Sequence, residues 1–221
     1  MSAATPPVAA CFHGFLRTGA SMWWLARALR RAGYADVVLP TFGYHRGTLD
    51  LHAAAASRAL ASLAARFPGA PIDLVTHSFG GVLARATLAR EDAPPVRRLV
   101  MLSPPNQGAD RAAQVRRLLP VHHAGWDPLG QILPGVPARQ VGPPLAIPAT
   151  EIGILTGGRS GQRGFSPFLD DDNDGTVRVE EARLDGASDF LVVPVRHPMM
   201  PLSPLARSQV LAFLATGRFT R

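Results

Sequence analysis

Ile72-Asp73-Leu74-Val75-Thr76-His77-Ser78-Phe79-Gly80-Gly81 is the stretch of sequence that decides the fold. Its first half is a short apolar run of the kind that forms a strand buried on both faces, and its second half opens a helix with two glycines. Between them Ser78 stands on a sharp strand-to-helix turn. A serine hydroxyl is a poor nucleophile, but such a turn exposes it, brings it near a base and sets it beside the N–H groups of a helix start. Small residues after the serine let strand and helix pass closely. The alternative is an ordinary junction with a capping serine, because N-cap serines are common. They seldom follow His and precede Phe-Gly-Gly.

Outward from this stretch, short runs rich in Val, Ile and Leu alternate with longer Ala/Arg/Leu segments. Val8 to His13, Asp36 to Pro40, Ile72 to His77, Arg97 to Ser103, Glu151 to Thr156 and Phe190 to Val195 read as strands, each ending at a turn signal. Ser21 to Arg31, Leu49 to Phe67, Gly80 to Arg90 and Pro204 to Thr216 have helix-forming composition and apolar positions at helical spacing. The alternation predicts an α/β fold, with a central, mostly parallel sheet of about six strands and helices on both faces. At 221 residues and 47% hydrophobic content the chain suits a single domain spanning 1–221. Pro104 to Pro148 differs in character, crowded with Pro and Gly and holding His122, His123 and Trp126. It follows the fourth strand, on the rim where parallel sheets place their ligands, and reads as a lid-like insertion.

Composition excludes several classes. The formal charge is +7, but the 23 basic residues are all arginines, scattered singly or in pairs without interleaved aromatics that would stack on bases. Nucleic acid is therefore not an expected partner. Cys11 is the only cysteine, so no intrachain disulfide can form, and a buried strand thiol is its simplest role. No stretch approaches the ~18 apolar residues of a membrane span, and Met1 to Phe15 lacks the basic and apolar regions of a leader. A cytoplasmic protein without an integral membrane segment is the expectation. Oligomeric state is not legible.

Thr76-His77-Ser78-Phe79-Gly80 resembles the G-x-S-x-G elbow of the α/β-hydrolase family, with Thr76 where the family most often has glycine. His13-Gly14, directly after the first strand, resembles the family's oxyanion loop. The resemblance assigns the two oxyanion donors to the backbone N–H groups of Phe79 and Phe15. The family's chain order of Ser, then Asp or Glu, then His is available here. Asp174-Gly175-Thr176-Val177 resembles the Asp-Gly-x-Val of bacterial lipases, and His197 sits immediately past a buried strand on the elbow's rim, where it can take and return the serine's proton. Asp174 is the best candidate for the acid, while Asp110 and Asp127 are also in permitted order. Among the other histidines, His13 suits a structural role, His122 and His123 belong to the insertion, and His45 and His52 come too early.

Phe12, Phe15, Trp23, Trp24, Phe79, Met199 and Met200 lie at or near the predicted rim and suggest an apolar acyl pocket, with Trp23 and Met199 as substrate-binding residues. Most of these suit a core equally well. The resemblance implies a serine esterase acting on a small-molecule or lipid acyl ester, with short to medium acyl chains preferred. A triacylglycerol lipase, thioesterase or acyltransferase would use the same residues, and a non-catalytic binding module would keep the fold. Asp170, Asp172, Asp174, Gly175 and Glu181 also match the spacing of an EF-hand calcium loop. The preceding Gly161 to Pro167 cannot supply the entering helix, so an acidic loop tip is expected and neither metal nor cofactor is called for.

Overall fold

The computed structural model of the protein describes residues 5–44, 47–108, 148–161 and 163–221. Six strands form one sheet: β1 (Val8–Phe12), β2 (Asp36–Val38), β3 (Ile72–His77), β4 (Arg98–Leu102), β5 (Glu151–Gly157) and β6 (Asp189–Val193). Their order is β2-β1-β3-β4-β5-β6. Every adjacent pair is parallel, with Ala10 opposite Leu74 and Val75 opposite Val100. The expected sheet was mostly parallel; here it is wholly so, because each pair of successive strands is joined by a crossover and not by a hairpin.

Alternation along the strands feeds two apolar layers. Val8, Ala10, Phe12, Leu74, Leu99 and Ile154 face one, against α2 (Leu49–Arg66) and α3 (Phe79–Leu88). Ala9, Cys11, Val75, Val100 and Leu155 face the other, against α1 (Trp23–Arg31) and the last helix (Pro204–Thr216). Burial pushes the Cys11 thiol up to about 12, so it is an inert strand thiol. On the second layer Phe213 lies over Gly153, where a Cβ would stand 2.6 Å from the ring.

Differences from expectation sit at element ends. β2 stops at Val38, short of Pro40, and is a three-residue edge strand. A 3-10 turn over Gly19–Met22 precedes α1, and a short helix, Val179–Ala182, was not anticipated because one turn is too short to show a period. It becomes α4, and Pro204–Thr216 is α5. Residues 109–147, most of the Pro/Gly-rich insertion, lie outside the described residues, and the lid expectation lies there with them. Among the described residues no helix is long and apolar enough to cross a membrane.

The chain leaves β1 for β2 on one side and returns to β3 on the other, so the crevice beyond the carboxyl ends of β1 and β3 is the sheet's switch point. α3 enters it closely: a Cβ at Gly80 would stand 2.5 Å from the Phe12 carbonyl oxygen and 2.8 Å from that of His13. Both obstacles are backbone of a central strand, so neither can swing aside. Gly80→Ala should therefore destabilise the fold by about 2 kcal/mol or more, the range of core overpacking. Urea unfolding curves of the two proteins measure it.

Candidate active site

Ser78 caps α3 with φ 54° and ψ −126°, a conformation that non-glycine residues adopt only when the surroundings impose it. Its backbone is held at both ends: Ser78 N–H donates to the Leu102 carbonyl at 2.8 Å, and Gly81 N–H donates to the Ser78 carbonyl at 2.8 Å. The side chain is free of capping duty. At α2 and α5 the capping oxygens of Thr48 and Ser203 accept from Leu51 N–H and Ala206 N–H, whereas the Ser78 hydroxyl makes no such bond. The capping-serine alternative thus lacks the bond that would define it. Thr76 is fully buried, and its hydroxyl lies 3.4 Å from where a Cβ of Gly81 would be. The tighter neighbour of a Cβ at Gly81 is Pro104 Cβ at 2.9 Å, so glycine at 81 lets α3 approach the turn after β4.

The loop after β1 lies against this turn. A Cβ at Gly14 would come within 3.0 Å of His77 Nδ1 and 3.1 Å of Ser78 Cβ, so the backbone leading into Phe15 runs beside the serine. The Phe15 ring meets the Phe79 ring edge-on at 6.2 Å and stacks at 6.5 Å on Tyr44. His13 is spent on structure. Its Nδ1–H donates to the Gly14 carbonyl at 2.8 Å, its Nε2 accepts from Phe42 N–H at 2.9 Å, and Tyr44 OH donates to its carbonyl at 3.1 Å.

Asp174 and His197 meet at the far side of the rim. Asp174 Oδ2 accepts from His197 Nδ1–H at 2.7 Å, and His197 N–H donates to the Asp174 carbonyl at 2.9 Å. Its other oxygen, Oδ1, accepts from Thr176 N–H at 2.9 Å and Val177 N–H at 2.8 Å. The carboxylate is wholly buried, and three N–H donors replace the water it has lost. With Nδ1 carrying the proton, His197 Nε2 has the free lone pair of a base.

Two residues that the sequence did not single out build this geometry. Asn173, also fully buried, accepts from Ser166 N–H and Gly175 N–H and donates to the Ser166, Leu169 and Asp171 carbonyls, so its one amide knots the loop that carries Asp174. Asn before Asp-Gly was the only hint, and it is a common turn sequence. His77 Nε2–H donates to the His197 carbonyl at 3.0 Å, with the two rings 4.8 Å apart. That bond ties the elbow directly to the histidine's backbone. Among the described residues no hydrogen bond joins Ser78 to His197 in this structure.

The other candidates fall elsewhere. Met199 is half exposed in the 3-10 turn that begins at His197. Trp23 is half exposed at the start of α1, edge-on to Trp24 at 4.8 Å and beneath the Arg27 guanidinium. Phe12, Phe79 and Met200 are core. Asp110, Asp127, His45, His122 and His123 lie outside the described residues. Two more acids of the calcium-like spacing are turned to backbone: Asp172 accepts from Arg159 N–H and Gly161 N–H, and Glu181 from Arg178 N–H, while Asp170 is exposed.

A strained serine between a parallel strand and a helix, with a carboxylate-held imidazole at the carboxyl end of the same sheet, is an arrangement of the α/β-hydrolase fold. The alpha/beta hydrolase family model matches residues 10–217, and the chain belongs to that family. Comparison with curated proteins gives no match. Among solved structures, a lipase of Bacillus licheniformis in its mature form is similar over 97% of this chain and 92% of its own, at 17% identity and a TM-score of 0.74. A metagenomic carboxyl esterase covers 88% of this chain and 65% of its own, at 20% identity and a TM-score of 0.62. A phospholipase of Legionella pneumophila matches 80% of this chain and 45% of its own, at 17% identity and a TM-score of 0.58. Such identities establish the shared fold.

Burial lowers the pKa of His13 beneath its ordinary 6.5, and that of His77 well beneath it, the latter with added repulsion from His197. The unfolded chain therefore binds more protons than the folded one below about pH 6.5, and stability falls with pH in that window. The contribution of these neutral imidazoles is complete above the unfolded value and is lost as pH drops toward the folded one. Urea midpoints should be level between about pH 7 and 8 and decline below about 6.5, before carboxylates titrate. His77→Gln, which cannot titrate but keeps an N–H donor, should flatten part of that decline.

Proposed function

We propose that the protein hydrolyses carboxylic esters through an acyl-enzyme, with Ser78 as nucleophile, His197 as general base and Asp174 as the acid that orients it. One observation carries the reading: an uncapped serine held at positive φ lies on the same rim as an imidazole whose Nδ1–H is engaged by a buried carboxylate. His197 Nε2 takes the proton of Ser78 Oγ as the oxygen adds to the ester carbonyl carbon. The carbonyl oxygen becomes an anion between the N–H groups of Phe15 and Phe79. Collapse breaks the bond to the alcohol, which leaves with the proton from His197; water, activated by the same nitrogen, then releases the acid and restores Ser78. Asp174 holds one tautomer throughout and stabilises the imidazolium. Hydrogen bonds between nucleophile and base are often long or poorly aligned in free enzymes and tighten with substrate.

The ester class is supported by the descriptions of the similar folds as lipase, carboxyl esterase and phospholipase. Met199, beside the base, is the residue we place against substrate. The packing of Trp23 with Trp24 and Arg27 favours another use for it.

Ser78→Ala should abolish hydrolysis of p-nitrophenyl butyrate while the urea midpoint stays within error; a variant retaining a tenth of the activity would remove Ser78 from its role. Asp174→Asn should lower kcat by about 10⁴, the cost of the wrong histidine tautomer. Asp110→Asn should leave kcat near the parent value. Across a p-nitrophenyl ester series, each methylene that enters an apolar acyl site should help by at most about 0.8 kcal/mol, until the site is full. Values of kcat/KM should therefore rise through short and medium chains and then fall. A steady rise to the longest chains would make the protein a lipase.

A further inference from the structure

Eight large apolar side chains are exposed among the described residues, and five of them, Trp23, Trp24, Met199, Leu202 and Leu205, belong to one face. The contacts that join them can be followed. Trp23 packs on Trp24; the Arg207 guanidinium of α5 lies 5.6 Å over the Trp24 ring and donates to the Leu202 carbonyl; Leu202 N–H donates to the Met199 carbonyl at 3.0 Å. Met199 is two residues past His197. In a parallel sheet a helix that follows a strand starts at the strand's carboxyl end, so the first turns of α1 and α5, which carry Trp23, Trp24 and Leu205, stand at the rim where Ser78 and His197 sit.

The charge on this face is one-sided. Residues 17–35 hold Arg17, Arg27, Arg30 and Arg31, and residues 196–216 hold Arg196 and Arg207, without an Asp or Glu in either stretch. A cleft of about 310 Å³ between α1 and α5 is lined by Trp24, Arg27, Ala28, Arg31, Arg207 and Leu211. Other arginines are matched with acids, among them Arg66 with Asp36 and Arg90 with Asp50 and Asp92. Arg27, Arg31 and Arg207 have no acidic partner among the described residues. A guanidinium held over an indole has no carboxylate on it and keeps N–H donors for a phosphate, and half-exposed tryptophans favour the boundary between head groups and acyl chains.

We propose that this face docks the protein onto an anionic phospholipid bilayer, with the cleft arginines on head-group phosphates, the tryptophans and leucines at the acyl boundary, and the rim of the site turned toward the lipid. The docking is independent of the ester chemistry; only the inference that substrate is drawn from the bilayer rests on that function. An acidic protein would also be drawn by the charge. Apolar residues on the starts of two helices and on the turn after His197 form a low, broad margin that suits penetration of a soft surface.

The test uses the full chain as Ser78→Ala, so that lipid is not consumed, in co-sedimentation with vesicles of phosphatidylcholine alone or mixed with phosphatidylglycerol. Binding is expected to the mixed vesicles and not to phosphatidylcholine, and should fall steeply as salt shortens the screening length. Arg31→Gln with Arg207→Gln should lower the partition coefficient by about fivefold for each arginine removed. Arg66→Gln with Arg90→Gln, an equal charge change on ion-paired residues, should leave it within twofold. Trp24→Ser should weaken binding at every salt concentration. Equal binding to both vesicles, equal loss in the two double variants, or displacement by inorganic phosphate or duplex DNA at concentrations matched in phosphate overturns the proposal. Hydrolysis of p-nitrophenyl butyrate, measured without vesicles on the Ser78-containing chain and its Arg31→Gln/Arg207→Gln form, should be the same for both. Absence of that activity speaks against the ester function and leaves the docking result standing.

Discussion

At Gly80 two backbones pass so closely that no Cβ fits between them, and the geometry of the site follows from that approach. The helix start is drawn against the Phe12 and His13 carbonyls, so the chain leaving β3 must reverse within one residue, and that residue is Ser78 at φ 54°. Backbone strain of this kind costs about 1–3 kcal/mol and persists only where the surroundings over-determine it. Here the determinants are the bond from Ser78 N–H to the Leu102 carbonyl, the burial of Phe79 and the absence of a side chain at Gly14. The hydroxyl makes no bond to the helix it would otherwise cap.

The base stands on a different footing, since β6 is three places from β3 and the ladder does not hold their carboxyl ends together. A separate set of polar contacts does so. Asn173 organises the loop, Asp174 is saturated by three N–H groups, and His77 crosses from the elbow to the His197 carbonyl. Close packing adds to them: a Cβ at Gly157 would overlap the Val195 carbonyl and stand 2.6 Å from Asp174 Cβ. A buried carboxylate short of one donor would cost far more than the bond itself contributes, so the loop has few alternative arrangements.

Arginine serves two ends in this chain. Arg97 holds the fully buried Asp73 through Nε at 2.9 Å and Nη2 at 2.5 Å, with Tyr34 OH on the same carboxylate, a strut at the amino end of β3. At the opposite end of the sheet, Arg27 of α1 and Arg207 of α5 lie over tryptophan rings without acids to neutralise them. Pairing with a carboxylate neutralises a guanidinium internally, whereas a place over an aromatic ring leaves its charge uncompensated.

The six strands, the four longer helices and the turn that carries Ser78 were legible because burial on both faces leaves an unbroken apolar run and helices leave a period of 3.6. Asp174 and His197 could be named as candidates from chain order and turn residues, but nothing local joins two residues 23 apart. Asn173 and His77 were invisible as builders of the site, since each acts through bonds to distant backbone, and the sequence marks only the residue that donates. The margin of Trp23, Trp24, Leu202 and Leu205 was equally hidden: the tryptophans read as rim or core, the leucines carried no signal of their own, and only the docking of α1 beside α5 brought them together with unpaired arginines. By itself, then, the sequence determined the layers, the register of apolar faces and the strained turn, because these follow from the pattern of neighbours along the chain. Only the tertiary structure decided which polar groups are satisfied, and which charges are left facing solvent, because burial and pairing depend on which segments meet.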